Sequence, residues 1–190
     1  GPRSRIKLKA PYNEYGVAES VVVFDNVFVP WERVFLCGEW EFAGPLALTF
    51  AGFHRHSYCG CKPALTDTII GAAALAAEYN GVANASHIQD ELTELMIIGE
   101  LVYASGIAAA ARAEPTRSGI YRPKFLYSNT GRYLAGINVY HEYEILASIA
   151  GGLPSTLPPE EDWLNPEVGP YLEKYIRRNP AVPSQANGMA

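Results

Sequence analysis

Two hydrophobic rhythms divide the chain. Over residues 5–36, Ile6 and Leu8 alternate with charges, Ser20-Val21-Val22-Val23-Phe24 closes at Asp25-Asn26, and Val27-Phe28-Val29 ends at Pro30. Short β-branched runs bounded by turn residues predict strands. Beyond Cys37, Ala, Leu, Ile and Glu dominate and the breakers fall at helical spacing. The pattern predicts helices over 41–58, 62–80, 86–113 and 122–149, with a shorter one over 169–178. The third is the clearest: Ser86 is placed to cap it, Ile88, Leu92, Leu95, Ile98, Leu101 and Val102 form one apolar stripe, and Glu114-Pro115 ends it. Pro63 removes a backbone donor and its ring opposes the carbonyl four residues earlier, which predicts a break beside Cys61. The stretch from Gly151 to Pro170, rich in proline and acidic residues, reads as a long loop with a functional or interface role.

Composition narrows the class. A chain of 190 residues, 48% hydrophobic and 18% charged, can bury a real core. A net charge of −5, with no basic run longer than Arg177-Arg178, offers nothing that tracks a nucleic-acid backbone. Apolar stretches such as Thr68 to Ala77 stop short of the ~20 residues a bilayer span needs, and no leader-like apolar segment opens the chain. A soluble cytoplasmic protein is expected. The three cysteines are an odd number, and Cys59 and Cys61 lie too close for an ordinary disulfide framework, so reduced or metal-bound thiols are expected. From Ile176 to Ala190 the chain passes Pro180, Pro183 and Gly188 without another core element, which reads as a truncated helical domain. Its apolar helix faces then need cover from elsewhere, and a homo-oligomer is expected.

The richest segment is Phe53-His54-Arg55-His56-Ser57-Tyr58-Cys59-Gly60-Cys61-Lys62. At about 100° per residue, positions 54, 58 and 61 share one helix face within about 60°, Lys62 falls at its margin, and His56 and Cys59 project elsewhere. Three readings stay open for that face. The first is a buried histidine, a core tyrosine and an inert cysteine. A structural zinc site is the second, although the spacing lacks the paired loops of ordinary zinc folds. The third is an iron–sulfur cluster held jointly by His54 and Cys61 with ligands from outside the segment. Ala150-Gly151-Gly152 likewise reads either as a helix C-cap or as a close-approach point for a phosphate-bearing ligand.

The residues from Ser20 to Pro30, from His54 to Lys62, from Ile69 to Gly81 and from Ile149 to Leu153 resemble the 4-hydroxybutyryl-CoA dehydratase family. That family shares a superfamily with 4-hydroxyphenylacetate 3-hydroxylase and the acyl-CoA dehydrogenases. The resemblance implies a mainly α fold, an acyl-CoA dehydrogenase-like C-terminal helical bundle preceded by a short β segment and incomplete at both ends. Residues 1–36 would end the middle β domain, and residues 37–190 would form the truncated C-terminal domain. It further implies FAD and a 4Fe-4S cluster held by three cysteines and one histidine. His54 matches the histidine ligand and Cys61 one cysteine, with the other two ligands before Gly1; Cys37 matches neither. Tyr58 and Lys62 match active-site residues, and Glu19 a carboxylate near the substrate. A second family glutamate would lie beyond Ala190. Ala150, Gly151 and Gly152 match a region that faces flavin.

The implied reaction dehydrates 4-hydroxybutyryl-CoA to crotonyl-CoA, with vinylacetyl-CoA delta-isomerase activity, in a tetramer. The C3 hydrogen is not activated by the thioester, so acid–base catalysis alone is insufficient; one-electron oxidation of an enolate makes that hydrogen acidic. His54 would act as ligand and base. Two departures from the family stand out. Cys59 replaces a usual glycine and reads as packing, because its azimuth is wrong for the ligand face, and Pro63 is unusual. The alternatives are an FADH2-dependent aromatic hydroxylase of the same fold, which needs no His54–Cys61 pair, and a helical oligomerisation module inactive in isolation.

Overall fold

The computed structural model describes residues 21–182. The chain divides into two units, residues 1–40 and 41–190. Within the first, the strands expected at residues 20–24 and 27–29 do not form among the described residues. Val21, Val22 and Val23 are exposed, and the regular element is one 3-10 turn, Trp31–Arg33, after Pro30. A β-branched run fits a pleated surface when a neighbouring strand supplies ladder bonds and packing, and no such partner lies among residues 21–40. Residues 1–20 lie outside the described residues.

The second unit is an up-down-up bundle of three long helices: α1, Ala43–Asn80; α2, Ser86–Ala111; and α3, Phe125–Ile149. Helix α1 overturns the expected break at Pro63. It continues through the proline for 38 residues, and the ring is itself buried. An interior proline costs about 3 kcal/mol. Here Cys59, Lys62, Thr66 and Ile69 are buried on either side of it, so packing along both flanks outweighs the lost backbone bond.

Helix α2 begins at Ser86 with Ala85 as its cap residue and no side-chain cap bond, so the expected serine cap is absent. Ile88, Leu95, Ile98 and Val102 of its predicted stripe are buried and Leu92 packs against them, whereas Leu101 is 52% exposed. By length and composition α2 is also long and apolar enough to cross a bilayer, beyond what the sequence reading allowed. In this fold it packs against both α1 and α3. The chain leaves it through a two-residue-per-strand hairpin, β1 (Glu114–Pro115) and β2 (Tyr121–Arg122), where a helix terminus was expected. The stretch after α3, expected as loop, holds two short helices, α4 (Leu153–Thr156) and α5 (Glu160–Leu164), before α6 (Gly169–Ile176).

The interior is layered. One apolar cluster gathers Ile69, Ala73, Ala76 and Ala77 of α1, Ile88 and Leu95 of α2, and Ile145 and Ile149 of α3. A smaller one joins Cys59, Val102 and Ala135. The small cluster is possible because glycine faces it: a Cβ on Gly131 would stand 2.6 Å from the Cys59 sulfur, and one on Gly106 would stand 3.0 Å from the Cys59 Cβ. On the surface His141 of α3 clasps α2, its Nε2 2.9 Å from Glu94 and its Nδ1 3.3 Å from Glu144. The hydrogen bond to Glu94, then that to Glu144, raises the His141 pKa.

Two outcomes follow from these contacts. Gly131→Ala should destabilise the bundle by roughly 1–3 kcal/mol through overpacking, read from urea unfolding. Because the folded-state pKa of His141 lies above its unfolded value, its stabilisation is full below about pH 6.5 and is lost as pH rises through the folded pKa. His141→Ala should therefore cost more at pH 5.5 than at pH 8.5, and no more than about 1 kcal/mol, since the pair is solvent-screened.

Candidate active site

Residues from one face of α1 and the facing turns of α3 line an open cleft of about 570 Å³. His54 lines it and stacks on Phe50, with ring centroids 5.6 Å apart at 25°. Arg55 reaches across to α3, donating to Asn129 Oδ1 at 3.0 Å. Arg132 lies over the Tyr58 ring, 4.5 Å from its centroid. Gly136, one turn further along α3, makes room for that guanidinium, since a Cβ there would meet it at 2.9 Å. With Tyr133 and Ile137 completing the wall, the lining holds two arginines, a histidine and no carboxylate. Its chemistry suits an anionic or oxygen-rich ligand with an apolar portion.

The unbroken helix keeps Tyr58 and Cys61 on the His54 face and corrects the expectation that His54 and Cys61 meet where two helices join. They stand on one helix instead, separated by two turns, about 10.5 Å of axial rise. Both are exposed, and the Cys61 thiol makes a weak bond to the Tyr58 carbonyl at 3.7 Å. Among the described residues no group of three or more His, Cys, Asp or Glu side chains converges on one point. Zinc held by this segment alone therefore has no site.

The neighbours off that face are structural. His56 donates from Nε2 to the Gly106 carbonyl at 3.2 Å, tying α1 to α2. Cys59 is 1% exposed, its thiol directed at the carbonyls of Arg55 (3.3 Å) and Ser128 (3.7 Å). Burial, and secondarily the charge of Cys61, pushes the Cys59 thiol pKa up. An elevated thiol deep in a helix contact is inert.

Lys62 differs most from its expected place. It is buried between the helices, its ammonium paired with Glu142 of α3 and bonded to Thr66 Oγ1 at 3.3 Å. Thr66 donates to Glu142 Oε2 at 3.1 Å, and Glu142 Oε1 is enclosed with no partner. This polar layer sits between the two apolar clusters. Breaking one half of such a pair costs about 3–5 kcal/mol, whereas replacing both halves with apolar groups is often neutral or stabilising.

Glu19 lies outside the described residues. Ala150, Gly151 and Gly152 close α3: Gly151 and Gly152 hold positive φ of 69° and 78°, and their N–H groups bond the Ser148 and Ala147 carbonyls at 2.8 and 2.9 Å. That is a Schellman-type C-cap. The Arg178 guanidinium lies where a Gly151 side chain would be, 2.2 Å from an added Cβ. The sequence reading missed Arg55, Asn129, Arg132, Tyr133 and Glu142.

A three-helix bundle with this cationic cavity falls in a defined class. The sequence profile of the 4-hydroxyphenylacetate 3-hydroxylase C-terminal family (HpaB) matches residues 43–186, and the chain belongs to that family. It is 44% identical over 180 residues to the 4-hydroxybutyryl-CoA dehydratase/vinylacetyl-CoA-Delta-isomerase of Clostridium aminobutyricum, covering 90% of this chain and 37% of that protein. An oxygen-tolerant archaeal 4-hydroxybutyryl-CoA dehydratase from N. maritimus superposes with a TM-score of 0.81 at 40% identity, over 88% of this chain and 33% of that one. The FAD complex of the oxygenase component of 4-hydroxyphenylacetate 3-monooxygenase superposes at 0.71 with 32% identity, over 87% and 35%. The chain thus spans little more than a third of the relatives it matches.

The contrast between the thiols is open to direct measurement. With iodoacetamide on the folded protein, Cys61 and Cys37 should alkylate readily and Cys59 only on unfolding, as peptide mass spectrometry would register.

Proposed function

We propose that the whole protein containing this chain is a 4-hydroxybutyryl-CoA dehydratase with vinylacetyl-CoA delta-isomerase activity. It is a lyase and isomerase that uses FAD and a 4Fe-4S cluster to form crotonyl-CoA. The observation that carries this reading is the His54–Cys61 pair on one exposed face of α1, beside a cationic cavity, in a chain 44% identical to a dehydratase/isomerase. An aromatic hydroxylase has no need of that pair, and the oxygenase relatives are more distant at 33% identity or less.

The residues fit the groups this reading requires. Imidazole and thiol are iron–sulfur donors, and both are accessible. They supply two ligands, so the remaining ones come from other parts of the whole protein. For the flavin, the open space beside Gly152 admits backbone approach and Arg178, packed against Gly151, brings positive charge to the same turn, which suits a diphosphate; a relative of this fold binds FAD. When bound, the flavin supplies one-electron chemistry and the cluster a Lewis-acidic iron for the C4 hydroxyl.

The chain's own residues orient the acyl group and move protons around it. His54 would hold iron through its one lone-pair nitrogen and, when that bond is released, use the same lone pair to take a proton from the acyl chain. Tyr58, held under the Arg132 cation, donates its phenol hydrogen to the substrate hydroxyl. Arg55 and Arg132 favour the thioester oxygen and other anionic parts of the substrate, Lys62 with its Glu142 partner adds a buried ion pair behind that face, and Glu19 is the partner carboxylate for proton transfer. The same reading makes the protein a cytoplasmic homotetramer, and the exposed Met96, Ile97, Leu101 and Ile107 of α2 give a partner subunit an apolar face to cover.

Anaerobically purified full-length protein should form crotonyl-CoA from 4-hydroxybutyryl-CoA. His54→Ala and Cys61→Ala should lower turnover by about 100-fold or more, with loss of iron and acid-labile sulfide. Residues 1–190 alone, reconstituted with iron and sulfide, should hold no stable four-iron cluster. Wild-type iron content and turnover in Cys61→Ala would overturn the assignment.

A further inference from the structure

The layer formed by Lys62, Thr66 and Glu142 is poorly explained by stability. Lys62 and Glu142 side chains are 2% and 0% exposed, and the layer lies between clusters built from Cys, Ala, Val, Ile and Leu. A buried ion pair in such surroundings is commonly matched or bettered by apolar side chains of the same volume. This pair is not even complete. Glu142 Oε2 accepts from both Lys62 Nζ and Thr66 Oγ1, while Oε1 is sealed from solvent without a partner. The ammonium has three hydrogens, and two of them are used.

We infer that Glu142, aided by Thr66, is a positioning residue that holds the Lys62 ammonium inside the bundle, on the Thr66 side of Lys62. The inference rests on the dehydratase reading above, in which Lys62 belongs to the active site. Each of the three helices contributes. Lys62 and Thr66 lie one turn apart on α1, Glu142 comes from α3, and Gly99 of α2 lets Thr66 in, since a Cβ there would press on its methyl at 3.3 Å. A lysine stem is long and flexible, and an ammonium without a buried partner swings toward water. Lys62 follows Cys61 directly on an exposed turn, so solvent is within reach of such a swing. Glu142 is what keeps the charge inside.

The test uses the full-length protein with its flavin and cluster, as wild type, E142Q, K62M and K62M/E142L. Acetic anhydride footprinting reads where Lys62 is, with the exposed Lys124 as internal reference. Wild-type Lys62 should be protected about tenfold or more relative to Lys124. In E142Q that protection should fall by at least about fivefold, and kcat should drop about tenfold or more while KM and iron content stay within about twofold. K62M/E142L should melt at or above the wild-type temperature yet keep the low kcat of K62M, which separates positioning from packing. Wild-type kcat in the double variant, or E142Q with Lys62 still protected and kcat unchanged, would overturn the inference. Should the wild type make no crotonyl-CoA, the dehydratase reading fails. The footprint then decides by itself whether Glu142 holds Lys62, and continued protection in E142Q ends the positioning claim.

Discussion

The buried pair between Lys62 and Glu142 sets the register of the bundle. The apolar clusters on either side are made largely of alanine and branched aliphatics, and the fit of Cys59 against Gly131 and Gly106 opposes sliding sterically. A charge enclosed between helices does not tolerate it, because a slip of one turn leaves both ions without partners in a medium that cannot solvate them. With α1 and α3 locked at that level, Cys59 falls opposite Gly131, Arg55 opposite Asn129, and Tyr58 beneath Arg132. The cavity is a product of that alignment.

Helix α1 then separates two kinds of chemistry by azimuth. One side carries Cys59 and His56, both engaged with neighbouring helices, Cys59 buried and His56 half-buried. The other carries His54, Tyr58 and Cys61, accessible and backed by arginines. Two thiols two residues apart thus differ chiefly by burial, Cys59 enclosed with its pKa raised by desolvation first and Cys61 at the surface. Among the described residues the cavity lining carries two arginines and no carboxylate, and Arg132 is the cation that lies over Tyr58.

Much of this was legible in the sequence, and the exceptions have definable causes. The helical stretches followed from apolar periodicity, and 3.6-residue geometry along an unbroken helix does set His54, Tyr58 and Cys61 on one face. The proline at position 63 misled, since local rules weigh a lost hydrogen bond but not the packing on both flanks that offsets it. The valine run at residues 21–23 misled in the opposite sense, its β preference having no partner among the described residues. Glu142 was hidden among His141, Tyr143 and Glu144, which look like a solvated face. Its spacing from Ala135, Ile145 and Ile149 places it on their buried stripe, so periodicity alone would have found it. Arg132 left no comparable trace, because its meaning depends on a tyrosine far away in sequence.

The continuity of α1 through Pro63 makes the helix a ruler. With no hinge between His54 and Cys61, their backbone separation is the same whatever is bound, and neither domain motion nor loop closure can stretch it. Any change in the distance between the imidazole and the Cys61 thiol must then come from rotation about the side-chain torsions of His54 and Cys61, on a fixed base. Such a site would respond to what crowds that ring more than to distant conformational change. Phe50, stacked against it one turn earlier, is the residue that sets how far the imidazole can swing.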